Sequence, residues 1–274
     1  KMDFFFRNAD GDEVYFIHEG KGICDSDFGR LHYKKGDYLV IPRGTVYQLL
    51  PTEPTKALII ECKEEVRLPE KGMLGQHALF DPAVLKVPNP DEFHAAQKPE
   101  QEEYKLTIKR AQKLTNVYYP FSPLNTMGWK GTLTIWQLNV DDIRPISCER
   151  YHLPPSAHTT FLSRNVVICS FLPRALEVGD PTALKVPFYH SNIDYDEVLF
   201  YHSGEFFSRT GIDQGMLTLH PQGIHHGPQR EAVKNSHSLT KTNEVAVMLD
   251  TRNPLFTSER AVQVENKDYW KSWR

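Results

Sequence analysis

The sequence predicts an all-β protein of sandwich or barrel type. Three observations carry that expectation. Short runs rich in β-branched and aromatic residues recur along the chain. Its 19 prolines and 16 glycines fall between those runs. Helical periodicity is scarce. Short alternating runs bounded by turn residues are the pattern of antiparallel sheets closed into a sandwich or barrel.

The elements follow in order. EVYFIHEG (13–20), DYLVIPRG (37–44) and KALIIECK (56–63) read as strands that end at glycine, proline or charge. Residues 64–126 are rich in proline and charge and read as an irregular connection. Within it, PEQEEYKLTIKRAQKL (99–114) offers a weak helical stripe of Tyr104, Ile108 and Ala111, or else a charged surface segment. Strand patterns resume in GTLTIWQL (131–138), NVVICSFL (165–172), EVLFYHSG (197–204), GMLTLHPQG (215–223) and EVAVMLDT (244–251). The expected organisation is a module over 1–63, the connection over 64–126 and a second module over 127–274.

Composition removes several classes of function. The chain has 274 residues and a formal net charge of -3, which gives no electrostatic case for nucleic acid. No apolar run reaches the 18 residues or so of a membrane span. Four cysteines (Cys24, Cys62, Cys148, Cys169) lack Cys-x-x-Cys spacing and read as free thiols of a reducing, cytoplasmic compartment. The opening, KMDFFFRNADGDE, has no apolar core of a signal peptide and starts abruptly, consistent with a preceding segment having been removed.

A repeat runs through the chain. Asn8, Glu13 and Gly20 have the spacing of Asn192, Glu197 and Gly204; Gly36, Pro42 and Gly44 have that of Gly215, Pro221 and Gly223. The offsets are 184 and 179 residues. Proline ends a strand because it cannot donate to the ladder, and the glycine after it supplies a turn at positive φ. That turn aims the residue three positions on into a barrel.

The copies differ where chemistry would sit. His190, Glu197 and His226 in the second copy correspond to Phe6, Glu13 and Tyr47 in the first. Two imidazoles and a carboxylate make a facial triad suited to Fe(II) with open positions; phenylalanine binds nothing and tyrosine is a poor substitute. The odd spacing of His190 and Glu197 puts them on opposite faces of one flat strand, so His190 belongs on a loop ahead of the strand. Half of the 12 histidines lie in 190–237. A histidine by itself is more often a hydrogen-bonded strand or loop residue, and the spacing with Glu197 is what singles out His190 and His226. For His220 and His225 the two readings stand level, with His225 at the mouth of the site. His202 alternates outward and is expected at the surface.

The pattern H-x-N-x4-E-x6-G with G-x5-P-x-G-x2-H resembles the paired cupin motifs, with Asn192 in place of a second histidine. MDFFFRNADGDEV (2–14), GDYLVIPRGT (36–45), PFYHSN (187–192), DEVLFY (196–201), HHGP (225–228), PPSAHTTF (154–161) and NVVICSFLPR (165–174) resemble the homogentisate 1,2-dioxygenase family, bacterial branch. The resemblance implies a bicupin: two double-stranded β-helix (jelly-roll) barrels, the N-terminal one degenerate. It implies an Fe(II) dioxygenase that opens a hydroxylated aromatic ring with O2, with His190, Glu197 and His226 as iron ligands and His220 beside the pocket. Two positions depart from the family. Its Trp-His-Gly turn is Trp129-Lys130-Gly131 here, and a substrate-contacting tyrosine is Phe206. Candidate bases are His220, His225 and Lys130, while Tyr189 and Asn192 are candidates for contacts near ligand and substrate. A homo-oligomer is expected, since barrel edges are often covered by another subunit. A metal-dependent isomerase or lyase, or a non-catalytic binding protein, would share the triad; dependence on O2 separates the first from a dioxygenase.

Overall fold

A computed structural model describes residues 2–70, 79–95, 102–125, 131–183, 185 and 188–273. The chain forms two compact units, residues 1–67 with 71–144, and residues 68–70 with 145–274.

Among its described residues the first unit carries ten strands: β1 (Phe5–Asn8), β2 (Asp12–Glu19), β3 (Lys21–Ser26), β4 (Gly29–Lys34), β5 (Asp37–Ile41), β6 (Val46–Pro51), β7 (Lys56–Cys62), β8 (Tyr104–Arg110), β9 (Lys113–Tyr119) and β10 (Trp136–Asn139). They form two sheets, β4-β3-β6-β1-β8-β9 and β10-β5-β2-β7. Tyr15, Ile17, Leu31, Tyr33, Leu39, Ile41, Tyr47 and Ile135 fill the core. These side chains alternate along their strands and so share one face of the pleat, while β2 and β5 are buried on the other face as well.

The expected boundaries move here. Residues 104–119 form a hairpin rather than a helical or charged stretch, and β8 lies parallel to β1 with Phe5 opposite Leu106. β10 pairs with β5, which keeps residues 136–139 in the first unit. The hairpin was hidden because its turn residues, Ala111 and Gln112, are poor candidates for φ of 50° and 61°. Asp10 supplies the compensation: its carboxylate accepts the backbone N–H of both Ala111 and Gln112 at 2.6 and 2.9 Å. That clamp joins residues a hundred positions apart and leaves no local signature.

The second unit holds β11 (Thr159–Ser163), β12 (Val166–Phe171), β13 (Arg174–Ala175), β14 (Asp196–Ser203), β15 (Leu217–His220), β16 (Lys241–Thr242) and β17 (Val245–Thr251). Its main sheet runs β11-β12-β17-β14-β15. The sequence repeat is matched bond for bond. Asn8 O accepts from Gly44 N and Asn192 O from Gly223 N, both at 2.7 Å. Asp12 accepts from Arg43 N and Val66 N, as Asp196 accepts from Gln222 N and Leu255 N. Phe6 stands opposite Tyr47, as His190 does His226.

His202 departs from expectation: it is buried, not at the surface. The register shifts between Tyr201 and Ser203, and that bulge breaks the alternation. The four cysteines are free thiols. Among the described residues, no helix is long and apolar enough to cross a membrane.

Candidate metal centre

Glu197 is the second residue of β14, buried and directly opposite His220 on β15 and Asp250 on β17. This puts the three side chains in one row on one face of the sheet. His190 comes from the loop before β14. It forms a two-bond bridge with His226, His190 N to His226 O at 2.9 Å and the reverse at 2.8 Å. The rings lie 4.3 Å apart. One ligand atom each from His190, Glu197 and His226 lie within 4.8 Å of one another.

The backbone sets the tautomers. His190 Nδ1 lies 2.8 Å from Phe188 O, and His226 Nδ1 lies 3.0 Å from Ile224 O. A carbonyl oxygen only accepts, so each Nδ1 carries the proton and each Nε2 keeps its lone pair. His226 Nε2 is buried without a hydrogen-bond partner and sits 3.5 Å from Glu197 Oε1. Two Nε2 lone pairs and one carboxylate are a donor set that fits a divalent first-row metal. Backbone carbonyls behind the histidines are the usual means of orienting such ligands.

His220 is not part of the triad but supports it. Its Nδ1 donates to Glu197 Oε1 at 2.7 Å, and its ring stacks on His226 at 4.4 Å. Asn192 Nδ2 donates to the other oxygen, Oε2, at 3.4 Å. Burial of Glu197 works against its charge, but the hydrogen bond from His220 and the His226 imidazole beside it outweigh that and hold the carboxyl well below its usual range. Burial lowers the His220 pKa despite Glu197. His226 also loses solvent, but the Glu197 carboxylate beside it carries it upward.

The other candidates separate. Phe206 is buried, its ring edge-on to Tyr201 at 4.9 Å. His225 and Tyr189 are exposed, and neither is in the triad. Lys130 lies outside the described residues. Sequence reasoning missed Asp250, Glu244, Arg209 and the pair of half-buried His152 and buried Glu177, whose Nδ1 and Oε1 are 3.1 Å apart. The one local signal was an acid, Asp250, ending the apolar run VAVMLDT. The rest carry no motif.

The first unit shows what the same frame does without metal chemistry. Tyr47 donates to Glu13 Oε2 at 2.8 Å and meets the Tyr15 hydroxyl at 2.7 Å. Phe6 packs edge-on against Tyr47. Glu61, opposite Glu13, is held by Asn8 Nδ2 and Lys109. A tyrosine–glutamate network stands in the first unit where the triad stands in the second.

Fold and site together define an all-β protein that brings together, among the described residues, a two-histidine, one-carboxylate cluster able to hold a metal. The model of the homogentisate 1,2-dioxygenase N-terminal family matches residues 1–140, and the chain belongs to the homogentisate 1,2-dioxygenase family. A protein of Saccharolobus solfataricus is 38% identical over 98% of this chain and 70% of its own length. Its name gives a provisional dioxygenase assignment and no substrate. The homogentisate 1,2-dioxygenase of Bradyrhizobium diazoefficiens is 24% identical over the whole chain. The chain spans 63% of the length of that relative. Among solved structures, a cupin 2 conserved barrel domain protein from Leptotrichia buccalis overlaps 91% of this chain and 77% of its own, with 11% identity and a TM-score of 0.38.

Proposed function

We propose that this chain is an Fe(II)-dependent dioxygenase that opens the ring of a hydroxylated aromatic acid, homogentisate or a related hydroquinone or catechol acid, with O2. The observation that carries the reading is the meeting of half-buried His190 with buried Glu197 and His226, with both Nε2 lone pairs free. Bound there, iron would supply a Lewis-acidic redox centre that brings the aromatic diol and O2 side by side. Both atoms of O2 enter the product as one ring C–C bond breaks, so the reaction needs no outside reductant.

The protein's own part is proton handling and orientation. His220 Nδ1 is committed to Glu197, which leaves Nε2, buried and unpartnered, as the acceptor for a phenolic proton. Glu197 then stabilises the imidazolium at Nδ1. Asn192 fixes the second carboxylate oxygen, and the Phe206–Tyr201 pair offers an aromatic wall. His225 and Lys130 are the remaining bases in the proposal, and Tyr189 a contact at the rim. Free cysteines support a cytoplasmic setting.

The test is oxygen uptake by anaerobically Fe(II)-loaded protein against homogentisate and a panel of hydroquinones and catechols. The expected result is uptake with a carboxylated diol and about one metal per chain, as for a three-ligand catalytic site that keeps open positions. His226→Ala should lose metal and uptake together. A His226→Ala protein that keeps its metal would refute the triad. Turnover without O2 would move the chain to a metal-dependent isomerase or lyase.

A further inference from the structure

Beside each repeated glutamate stands a second acid. Glu13 on β2 lies opposite Glu61 on β7, and Glu197 on β14 lies opposite Asp250 on β17. The two pairs hold the same place in the repeat, since Asp12 faces Cys62 one position away as Asp196 faces Thr251. Like charges directly opposite each other across two strands repel, so each unit needs something positive beside its pair.

The first unit draws it from its own chain. Lys109 of β8 forms an ion pair with Glu61, and its charge also reaches Glu13. Asn8 Nδ2 donates to Glu61 Oε2 at 2.9 Å, and the Tyr47 hydroxyl donates to Glu13. One ammonium and two neutral donors thereby settle the pair.

The second unit has the acids without the ammonium. Asp250 is half-buried, and its Oδ1 is enclosed with no hydrogen-bond partner. Asn192, the counterpart of Asn8, donates to Glu197 instead, from Nδ2 to Oε2 at 3.4 Å. Burial and Glu197 both work against the Asp250 charge, while the His226 imidazole draws it. Among the described residues, no lysine or arginine pairs with it. His190 and His226 commit their Nδ1 protons to backbone carbonyls, so their Nε2 atoms offer lone pairs rather than donors. Two carboxylates and two lone pairs in one place are matched by a cation of charge two.

We propose that Asp250 belongs to the metal centre as a charge-balancing residue outside the ligand set: its carboxylate supplies the second negative charge that matches a divalent ion held by His190, Glu197 and His226. In the second unit the ion takes the part that the Lys109 ammonium plays in the first. The inference rests on the triad reading above and adds the residue that sets the charge of that site. It gives Asp250 two opposite effects, a cost to the metal-free fold and a gain to the metal-bound one.

Metal titration of the metal-free protein at pH 8 tests this, read anaerobically by calorimetry with Fe(II) and by visible absorption with Co(II). Wild type should bind about one ion per chain. Asp250→Asn keeps the shape of the side chain and removes its charge. It should bind Fe(II) about tenfold or more weakly. Its Co(II) absorption bands should stay in place, because the three ligands are unchanged. Asp250→Glu should recover most of the affinity. Thermal melting without metal gives the opposite sign: Asp250→Asn should melt above wild type, since the repulsion from Glu197 is gone. Unchanged Fe(II) affinity in Asp250→Asn overturns the proposal, as does a loss that Asp250→Glu fails to recover. An Asp250→Asn protein that melts below wild type, or does not fold, overturns it too, because the residue then serves the fold. Shifted Co(II) bands overturn it by making Asp250 a ligand. The two failures separate. A wild type that takes up no metal sinks the triad reading and this one with it. A wild type with one metal, matched by an Asp250→Asn protein that binds as tightly, sinks the Asp250 assignment and keeps the triad.

Discussion

Glu197 and Glu244 are both buried carboxyls of the second unit, and their surroundings drive them apart. Glu197 receives bonds from His220 and Asn192, lies beside His226 and stays charged. Burial raises Glu244 to about 7, against the pull of Arg174 and Arg209. The sign of its effect follows. The folded carboxyl keeps its proton up to about pH 7, and the unfolded one releases it near 4.5. Between these values the unfolded state binds fewer protons, so stability falls as pH rises, by an amount on the order of 3 kcal/mol, and levels off above 7. Glu244→Gln should remove that slope. Urea unfolding at pH 5 and pH 8 should show the variant gaining on the wild type as pH rises. Parallel curves would mean that Glu244 is already ionised in the folded protein.

At the scale of the element, the repeated strand is the unit of design. β2 and β14 each begin with Asp-Glu, bulge at a buried histidine (His18, His202) and end at a glycine of positive φ. The aspartate ties the strand to two neighbouring loops, and the glutamate faces the interior. Gly204 has φ 87°, and a Cβ there would stand 2.1 Å from the carbonyl oxygen of Asn243. Gly204→Ala should therefore cost roughly 2 kcal/mol or more, from backbone strain plus a clash with main chain that cannot swing away. A lowered denaturant midpoint with full metal content in the folded fraction is the expected result. An unchanged midpoint would show that the turn relaxes freely. Much of this element was legible in the sequence, because strand, proline stop and glycine turn are written in adjacent residues. The His202 bulge was not, since it arises from pairing with β17 rather than from the strand's own pattern.

At the scale of the whole molecule, one unit carries the His190–Glu197–His226 cluster proposed to hold metal, and the other carries a hydrogen-bonded tyrosine–glutamate counterpart. A ligand that binds only the folded state stabilises by mass action, by about 2.7 kcal/mol at a hundred times its dissociation constant. Metal should therefore act on the second unit. In hydrogen exchange, chelation should raise exchange over residues 188–226 and leave 12–62 unchanged. Equal deprotection of both ranges would show that the units unfold as one. The first unit needs no metal because Tyr47, Tyr15 and Glu13 bond to one another in its place.

The sequence by itself determined the strand grammar, the repeat and the triad. Each rests on local spacing: turn residues set where strands stop, and the offsets from those turns place His190, Glu197 and His226. Only the tertiary structure decided the rest. The 104–119 hairpin depends on Asp10, about a hundred residues away. Asp250, Glu197 and His220 share a face because three separate strands pair in one register. Arg209 meets Tyr269 because the C-terminal turn folds back onto the His226 loop. Local spacing constrains only neighbours along the chain, whereas these contacts come from pairing and packing between segments that no short pattern links.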